Sequence, residues 1–521
     1  MRTRRVEALG LALLAALPVV PYLAFVLRSG VPRFGVVGDV AVLEQHARHV
    51  RSAATLLGLP SRFGWHQPGP LLAWLAAPFL GGATSTGLHV ATCLVTGAAA
   101  GSMVASARLF ARRAHAAAAL LVVLAWFAAF GNASVYPWPP AVVALPSLAF
   151  LVAIALFGRG KTGAALPAII FGAFAFQTHV ACAPVVAAAG IAGIVAFGAS
   201  RRRDLARRDV LLLACGVLLL VVLSLPIAVE ALATPGAGNL GRIVSFFRHG
   251  ERTPWREAFR GWLAATAWLP ERIAGRALTT DGVVPAVLGA ETPASAPLSW
   301  AAGRFALELA GLVVATRRRD VPGLFLLAFA VLADAIAIVS LHFVRGPLSA
   351  YLVFAATAGT TLAWVGALGA LFAALGAWLA GRSASMPVLA GLGLAAAVAA
   401  TSMQRWSIAA RPFAPATRPD LRDDLGALVA ALGAHEHTLV VHRAGASAVA
   451  DAVVLELERS GVAFRVANGD RDAYAGLRGE AGTTDPVHVW LGSDVATCTV
   501  APLARSGMLA AWPGEACVSP R

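Results

Sequence analysis

Long apolar runs alternate with short arginine-rich segments along most of the chain. Runs of about 20 residues, the length at which a helix crosses a bilayer, lie near 9–27, 86–107, 115–131, 140–157, 164–180, 182–199, 209–230, 299–316, 321–342, 347–381 and 386–403. The run at 347–381 is too long for one ordinary span and indicates a bent helix or a hairpin. We therefore predict a mainly α protein, a polytopic transmembrane bundle of about 11 spans.

The placement of positive charge predicts which loops lie on which side. Arginines cluster between the apolar runs, in "MRTRR", "RLFARR", "GRGK", "RRRDLARR" and "TRRRD", as is typical of cytoplasmic loops. The first run lacks a small-residue cleavage site and is expected to remain as a span. The N-terminus is therefore predicted inside, and residues 29–85 and 231–298 form two outer loops.

Composition supports this reading and excludes others. The chain has 521 residues, 58% of them hydrophobic and 13% charged, whereas a soluble domain is about 25% charged. The net charge of +15 comes from the arginine clusters at span ends, so it does not indicate nucleic-acid binding. The sequence thus predicts a multi-pass protein of the cell membrane whose first partner is the lipid bilayer.

The pattern changes near residue 415. "HTLVVHR", "VAFRVAN" and "PVHVWLGS" are typical of strands, and "ASAVADAVVLELERSG" of an amphipathic helix. This alternation predicts a small α/β domain over 415–521, on the outer side, after a membrane domain over 1–410. Cys498 and Cys517 lie in this tail and either pair as a disulfide or remain two thiols.

The first outer loop begins with an amphipathic segment. Apolar residues recur at helical spacing over 40–57, which predicts a helix lying flat on the outer membrane surface. Asp39 stands directly before it, where an N-cap residue is expected. Glu44 and Arg48 have the i,i+4 spacing of a helical ion pair.

A rigid turn follows in "SRFGWHQPGPLLAWLAAPFL". The apolar part is too short to span, so it is expected to pack along the interface with Trp65 and Trp74 at headgroup depth. The turn then holds three polar side chains at the membrane surface: Arg62, His66 and Gln67. This arrangement suits chemistry on a substrate whose phosphate lies at the surface while its lipid tail stays in the bilayer.

Four segments, taken in order, resemble a known family. They are "GDVAVLE" at 38–44, "SRFGWHQPGP" at 61–70, "QTHV" at 177–180 and "LPIAVEALATPGAGNLGRIVSFF" at 225–247. The order and predicted outer location resemble bacterial membrane glycosyltransferases of the GT-C fold. These are polyprenyl-phosphate-sugar-dependent enzymes related to protein mannosyltransferases and aminoarabinose transferases.

The resemblance implies a reaction. A hexose or pentose would pass from a polyprenyl-phosphate donor to a glycan, lipid or protein acceptor on the outer face, with inversion. Asp39 matches the acidic residue that takes the acceptor's proton in such enzymes, which is general-base catalysis. The departing phosphate needs cations, for which Arg62 and Arg345 are candidates.

Other positions in or near the matching segments are candidate substrate-binding residues: Glu44, His66, Gln67, His179, Asn239 and Arg242. In the family a histidine often directly precedes the proline of the turn, whereas here Gln67 holds that place. Some relatives use a divalent metal ion and others do not. Asp39, Glu44 and His66 could supply ligands, but no spacing in this chain requires a metal, so we assign no metal ligand and leave a divalent metal ion open as the one candidate cofactor.

Two other functions remain open at this point. A transporter places ionisable residues within its spans, and Asp334 in "VLADAIAIV" is such a residue. A non-catalytic scaffold would use the tail to bind a partner. Most polar residues of note gather in the outer loops, which favours surface chemistry over passage through the membrane.

The predicted topology can be tested by labelling. Cysteines introduced near 45, 245 and 470 should react with a membrane-impermeant maleimide from outside intact cells, because these positions follow an odd number of spans. Cysteines near 205 and 318 should be protected until the membrane is opened. The opposite pattern would contradict the assignment.

Overall fold

The structure is a computed structural model with side chains. It describes residues 2–31, 36, 38–50, 56–61, 63–82, 84–200, 205–234, 238–250, 252–273, 298–345, 348, 350–380, 426–431, 439–443, 448–462, 464–466, 487–491, 504–506 and 509–511. The predicted span at 386–403, Arg62, Cys498 and Cys517 lie outside these residues.

Apolar helices dominate the described part of the chain. Seven of them are long and apolar enough to cross a membrane: Thr86–Phe110, Arg113–Phe130, Pro139–Gly158, Val180–Ser200, Arg207–Ala233, Val321–His342 and Tyr351–Trp378. The shorter apolar helix Thr162–Thr178 lies between two of these spans. These helices indicate a multi-pass membrane protein, and the number of spans stays a prediction.

Two of the predicted runs are broken helices. The first forms Arg2–Ala16 and Val19–Ser29, bent by 53°, with Pro18 at the break, where the missing N–H and the ring disrupt the helical ladder. The 347–381 run forms Ala350–Phe354 and Thr357–Ala380 in close succession. The run at 347–381 is therefore one long span with a short interruption and not a hairpin.

Four further helices lie outside the predicted spans: Asp39–Arg48, Leu71–Ala76, Asn239–His249 and Trp255–Ile273. The helix Leu298–Arg317 forms at the predicted run 299–316.

The tail contains the strands and the helix that the sequence predicts. Leu439–Arg443 is the central strand of a parallel sheet, with Phe464–Val466 on one side and Val487–Leu491 on the other. The helix Ala448–Arg459, hereafter the tail helix, connects the first two strands. Ala504–Ser506 and Leu509–Ala511 form a separate antiparallel pair.

The chain divides into two compact units. The bundle unit comprises Met1–Ala24, Thr92–Leu225 and Val244–Ala410. The loop–tail unit comprises Phe25–Ala91, Pro226–Ile243 and Arg411–Arg521. Parts of both predicted outer loops thus belong to the same compact unit as the tail.

Arginine side chains connect the start of the helix Arg2–Ala16 to the turn at 108–113. Arg108 and Arg113 both bind the carboxylate of Glu7, with Arg108 Nε 2.8 Å from Oε2. Arg4 donates to the backbone carbonyls of Arg108 and Ala111, each at 3.0 Å. Two arginine-rich segments that the sequence assigns to one side of the membrane are therefore in direct contact.

A buried ion pair lies inside the bundle unit. Asp334 is 6% exposed; it pairs with Arg304 and accepts a hydrogen bond from Trp262 Nε1 at 3.2 Å. Arg304 also donates to Thr360 Oγ1 at 3.1 Å. A Cβ at Gly359 would lie 2.7 Å from Asp334 Oδ1, so glycine lets this helix approach the carboxylate. Asp334 is thus held by neighbouring helices.

Replacing Asp334 with alanine should destabilise the bundle unit. The change leaves the buried guanidinium of Arg304 without its carboxylate partner, at a cost of about 3–5 kcal/mol. Thermal unfolding in detergent should show the loss. The matched control is Glu308→Ala, which removes the other, 17% exposed carboxylate bound to Arg304 and should cost less. Wild-type stability of Asp334→Ala would contradict the role of the pair.

Candidate functional site

The first-loop helix, Asp39–Arg48, presents Asp39 at its N-terminal end. Gly38 is the N-cap, with φ of 59° and ψ of −140°, a conformation that favours glycine. Asp39 is the first helical residue, and its side chain is exposed. The expectation that Asp39 is the N-cap is therefore wrong, because the backbone at that place requires glycine.

The first-loop helix also differs from the predicted surface helix at 40–57. It ends at Arg48, and residues 51–55 lie outside the described part. Every residue from Val40 to Ala47 is buried, so the helix packs inside the protein and does not lie flat on a membrane surface. Since Gln45 is buried, Phe63, 40% exposed, is the better labelling position in the first loop.

Glu44 lies at the centre of a buried ionic network. The predicted pair with Arg48 is present, with Arg48 Nη2 2.7 Å from Glu44 Oε1. Ser85 Oγ donates to Glu44 Oε2 at 2.5 Å. Arg459 of the tail helix donates through Nε to Oε1 at 3.0 Å and through Nη2 to Oε2 at 2.6 Å. Glu44 is 0% exposed, so protein groups surround both of its oxygens.

The segment around His66 folds back on itself as a tight hairpin. Gln67 N–H donates to Leu59 O at 2.7 Å, and Gly58 N–H donates to Gln67 O at 3.1 Å. His66 is 6% exposed, and its Nδ1 lies 3.1 Å from Gly58 O. Trp65 is 5% exposed, so the expectation that it sits at headgroup depth is wrong: it packs inside the protein.

Asn239 clamps the backbone of His66. Its Oδ1 accepts from His66 N–H at 2.7 Å, and its Nδ2 donates to His66 O at 2.9 Å. Glu230 Oε1 in turn accepts from the backbone N–H of Asn239 at 2.8 Å. The glutamate and asparagine of the second-loop segment therefore hold the first-loop hairpin in place.

Arg242 lies one helical turn beyond Asn239 and is exposed. Its Nη1 is 3.4 Å from Gly64 O, a long contact. His46 of the first-loop helix approaches His66, with ring centroids 6.5 Å apart. The loop–tail unit thus gathers Asp39, Glu44, His66 and Asn239 on connected segments.

Arg345 belongs to the bundle unit, where it follows the helix Val321–His342. Its Nη2 donates to Phe246 O at 3.0 Å, and its guanidinium carbon is 4.2 Å from the centroid of the Phe246 ring. The approach to Gly250 is so close that a Cβ there would overlap the guanidinium. Arg345 is half-buried and is held by backbone and aromatic contacts.

His179 also belongs to the bundle unit. It follows the helix Ala165–Thr178 in an extended conformation and is 5% exposed. Its backbone donates to Ala175 O at 3.2 Å and accepts from Cys182 N–H at 3.0 Å. These contacts place it at a helix junction.

No group of three or more His, Cys, Asp or Glu side chains within the described residues could hold a metal ion.

Sequence reasoning missed Arg459 and Ser85 as partners of Glu44. Arg459 is 415 positions away from Glu44, and no local periodicity connects them. Glu230 lies in the segment 225–247 that resembles the family but is not among the predicted site residues.

Comparisons with known proteins bear on the fold. No protein-family model matches the chain, and no curated protein matches it. The solved structure of ArnT from Cupriavidus metallidurans in the apo state is similar, with a TM-score of 0.53 and 16% identity. The similarity covers 95% of this chain and 96% of ArnT. The chain therefore has the GT-C membrane fold that the resemblance implied.

Asn239→Ala should loosen the hairpin that carries His66. The change leaves the buried N–H and C=O of His66 without partners, at about 1–3 kcal/mol for each unsatisfied group. Hydrogen–deuterium exchange should then quicken over 58–67. The control is Arg242→Ala on the same helix, which removes an exposed, long contact with Gly64 O and leaves the two hydrogen bonds of Asn239 to His66 in place. Equal exchange in both variants would contradict the clamp.

Proposed function

We propose that the protein is a membrane glycosyltransferase. It transfers a sugar from a polyprenyl-phosphate donor to a glycan, lipid or protein acceptor of the cell envelope, on the outer face of the membrane. One finding supports the class: the likeness to ArnT, an aminoarabinose transferase with the GT-C fold, over nearly the full length of both chains. The order of the four matching segments supports the lipid-linked donor.

The observation that carries the proposal is the exposed carboxylate of Asp39. Its helix is buried from Val40 to Ala47, so Asp39 sits on a rigid support. The N-terminus of a helix carries a partial positive charge that favours an ionised carboxylate. An ionised, accessible and fixed carboxylate is what a general base requires.

The proposed step is a displacement at the anomeric carbon of the sugar. The acceptor hydroxyl or amine attacks that carbon while the bond from it to the phosphate oxygen breaks. Asp39 accepts the proton from the nucleophile, and the electron pair of the broken bond leaves with the polyprenyl phosphate. Attack opposite to the leaving phosphate inverts the configuration.

The departing phosphate gains charge, for which we propose Arg345 and Arg62 as ligands. A guanidinium presents two N–H groups that match two phosphate oxygens. For His66, Gln67, His179, Asn239 and Arg242 a role in substrate binding stays a proposal. The contacts of Glu44 favour support of the first-loop helix over direct binding.

The transporter alternative loses its main support. Asp334 was its acidic residue within a span, and this carboxylate is paired with Arg304 and Trp262. A buried pair between neighbouring helices is better explained as a structural contact.

The Asp39→Asn variant tests the proposed base. The amide cannot accept the proton, so turnover should fall by about 100-fold or more. Asp39 is not the N-cap residue, so stability should change by less than about 1 kcal/mol, the usual value of a charge near a helix end. The assay is transfer from radiolabelled polyprenyl-phosphate mannose or arabinose to a membrane extract, in nanodiscs.

The matched control is Glu257→Gln. Glu257 is likewise an exposed acidic residue in the first turn of a helix, in the bundle unit. It should leave turnover unchanged. An Asp39→Asn enzyme as active as this control would refute Asp39 as the base, and a wild-type protein that transfers neither sugar would count against the proposed donor class.

A further inference from the structure

The end of the tail helix contacts the middle of the first-loop helix. Arg459 binds both carboxylate oxygens of Glu44, at 3.0 and 2.6 Å, and donates to Ser85 Oγ at 2.8 Å. The adjacent residue Glu458 has Oε1 3.0 Å from His49 Nε2. The last turn of the tail helix is therefore joined to the first loop by an ion pair and by a contact between a carboxylate and an imidazole.

Two arginines and two glutamates form the ion pairs at this contact. Arg48 and Arg459 face Glu44 and Glu456, and Arg459 pairs with both carboxylates. The side chains of Glu44 and Arg459 are 0% exposed, and that of Glu456 is 2% exposed. Buried charges persist only when they are paired and hydrogen-bonded. Movement of either helix would therefore expose or separate charges at a large cost.

We propose that Arg459 is a positioning residue for Asp39. The inference rests on the proposed function and adds to it a role for the C-terminal tail: the tail helix fixes the position of the helix that presents the base. Glu44 lies five residues after Asp39, about 7.5 Å along the helix axis. A rigid helix carries a displacement at Glu44 to Asp39, and an error of about 1 Å at a reacting group can cost 100-fold in rate.

The geometry explains why an arginine is used here. Nε and Nη2 of Arg459 each bind a different oxygen of Glu44. This two-point contact sets direction as well as distance, since the guanidinium is planar. An apolar contact would hold the helices together but would permit them to slide. A lysine would keep the charge, but all its N–H groups are on one nitrogen, so it would fix the direction of the contact less well.

The test is steady-state kinetics of the full-length protein in nanodiscs, with the donors and extract used for Asp39. Arg459→Met should lower kcat by at least about 10-fold while KM for the donor changes by less than about twofold. Arg459→Lys should recover part of the loss and also serves if the methionine variant folds poorly. Each rate is divided by the amount of folded protein in the sample, which thermal unfolding measures.

Arg48→Met is the matched control. It removes another cation from the same carboxylate, but Arg48 lies on the first-loop helix itself, so the contact with the tail remains. It should keep kcat within about twofold of the wild type, because the distance between the two helices is unchanged. Hydrogen–deuterium exchange over 39–48 should quicken in Arg459→Met and change less in Arg48→Met.

The outcomes separate the two proposals. Wild-type kcat in Arg459→Met, or a rise of KM alone, overturns the positioning role. Equal loss of kcat in both arginine variants also overturns it. If the wild-type protein transfers no sugar, the proposed function fails. Hydrogen–deuterium exchange over 39–48 then still decides whether Arg459 holds the first-loop helix. Unchanged exchange in Arg459→Met would refute that role.

Discussion

The carboxylate of Glu44 is the group on which the loop–tail unit depends. It binds Arg48 of its own helix, Ser85 directly before the helix Thr86–Phe110, and Arg459 of the tail helix. Because the carboxylate is fully buried, its charge needs paired and hydrogen-bonded partners inside the protein. One side chain thus joins three segments that are far apart in sequence.

A second set of polar contacts holds the hairpin that contains His66. Asn239 satisfies the N–H and the C=O of His66, and Glu230 satisfies the backbone of Asn239. The polar residues of the two outer-loop segments therefore bond mainly to each other and to backbone. These bonds satisfy backbone groups of His66 and Asn239, as buried backbone groups require.

Features that depend on local sequence could be predicted. Apolar runs of span length formed helices, and the alternation in the tail formed the expected strands and helix. The N-cap prediction for Asp39 failed because the positive φ belongs to Gly38. The surface-helix prediction failed because an apolar face indicates burial without indicating whether lipid or protein covers it. Arg459 could not be predicted, since its partner is 415 positions away.

The contrast between Asp39 and Glu44 explains how one short helix can serve both support and chemistry. The buried carboxylate of Glu44 is held by Arg48 and Arg459. The side chain of Asp39 lies exposed at the N-terminal end of the same helix. The two positions are five residues apart on one helix, so the contacts of Glu44 hold the helix while Asp39, the residue that we propose as the base, lies at its exposed end.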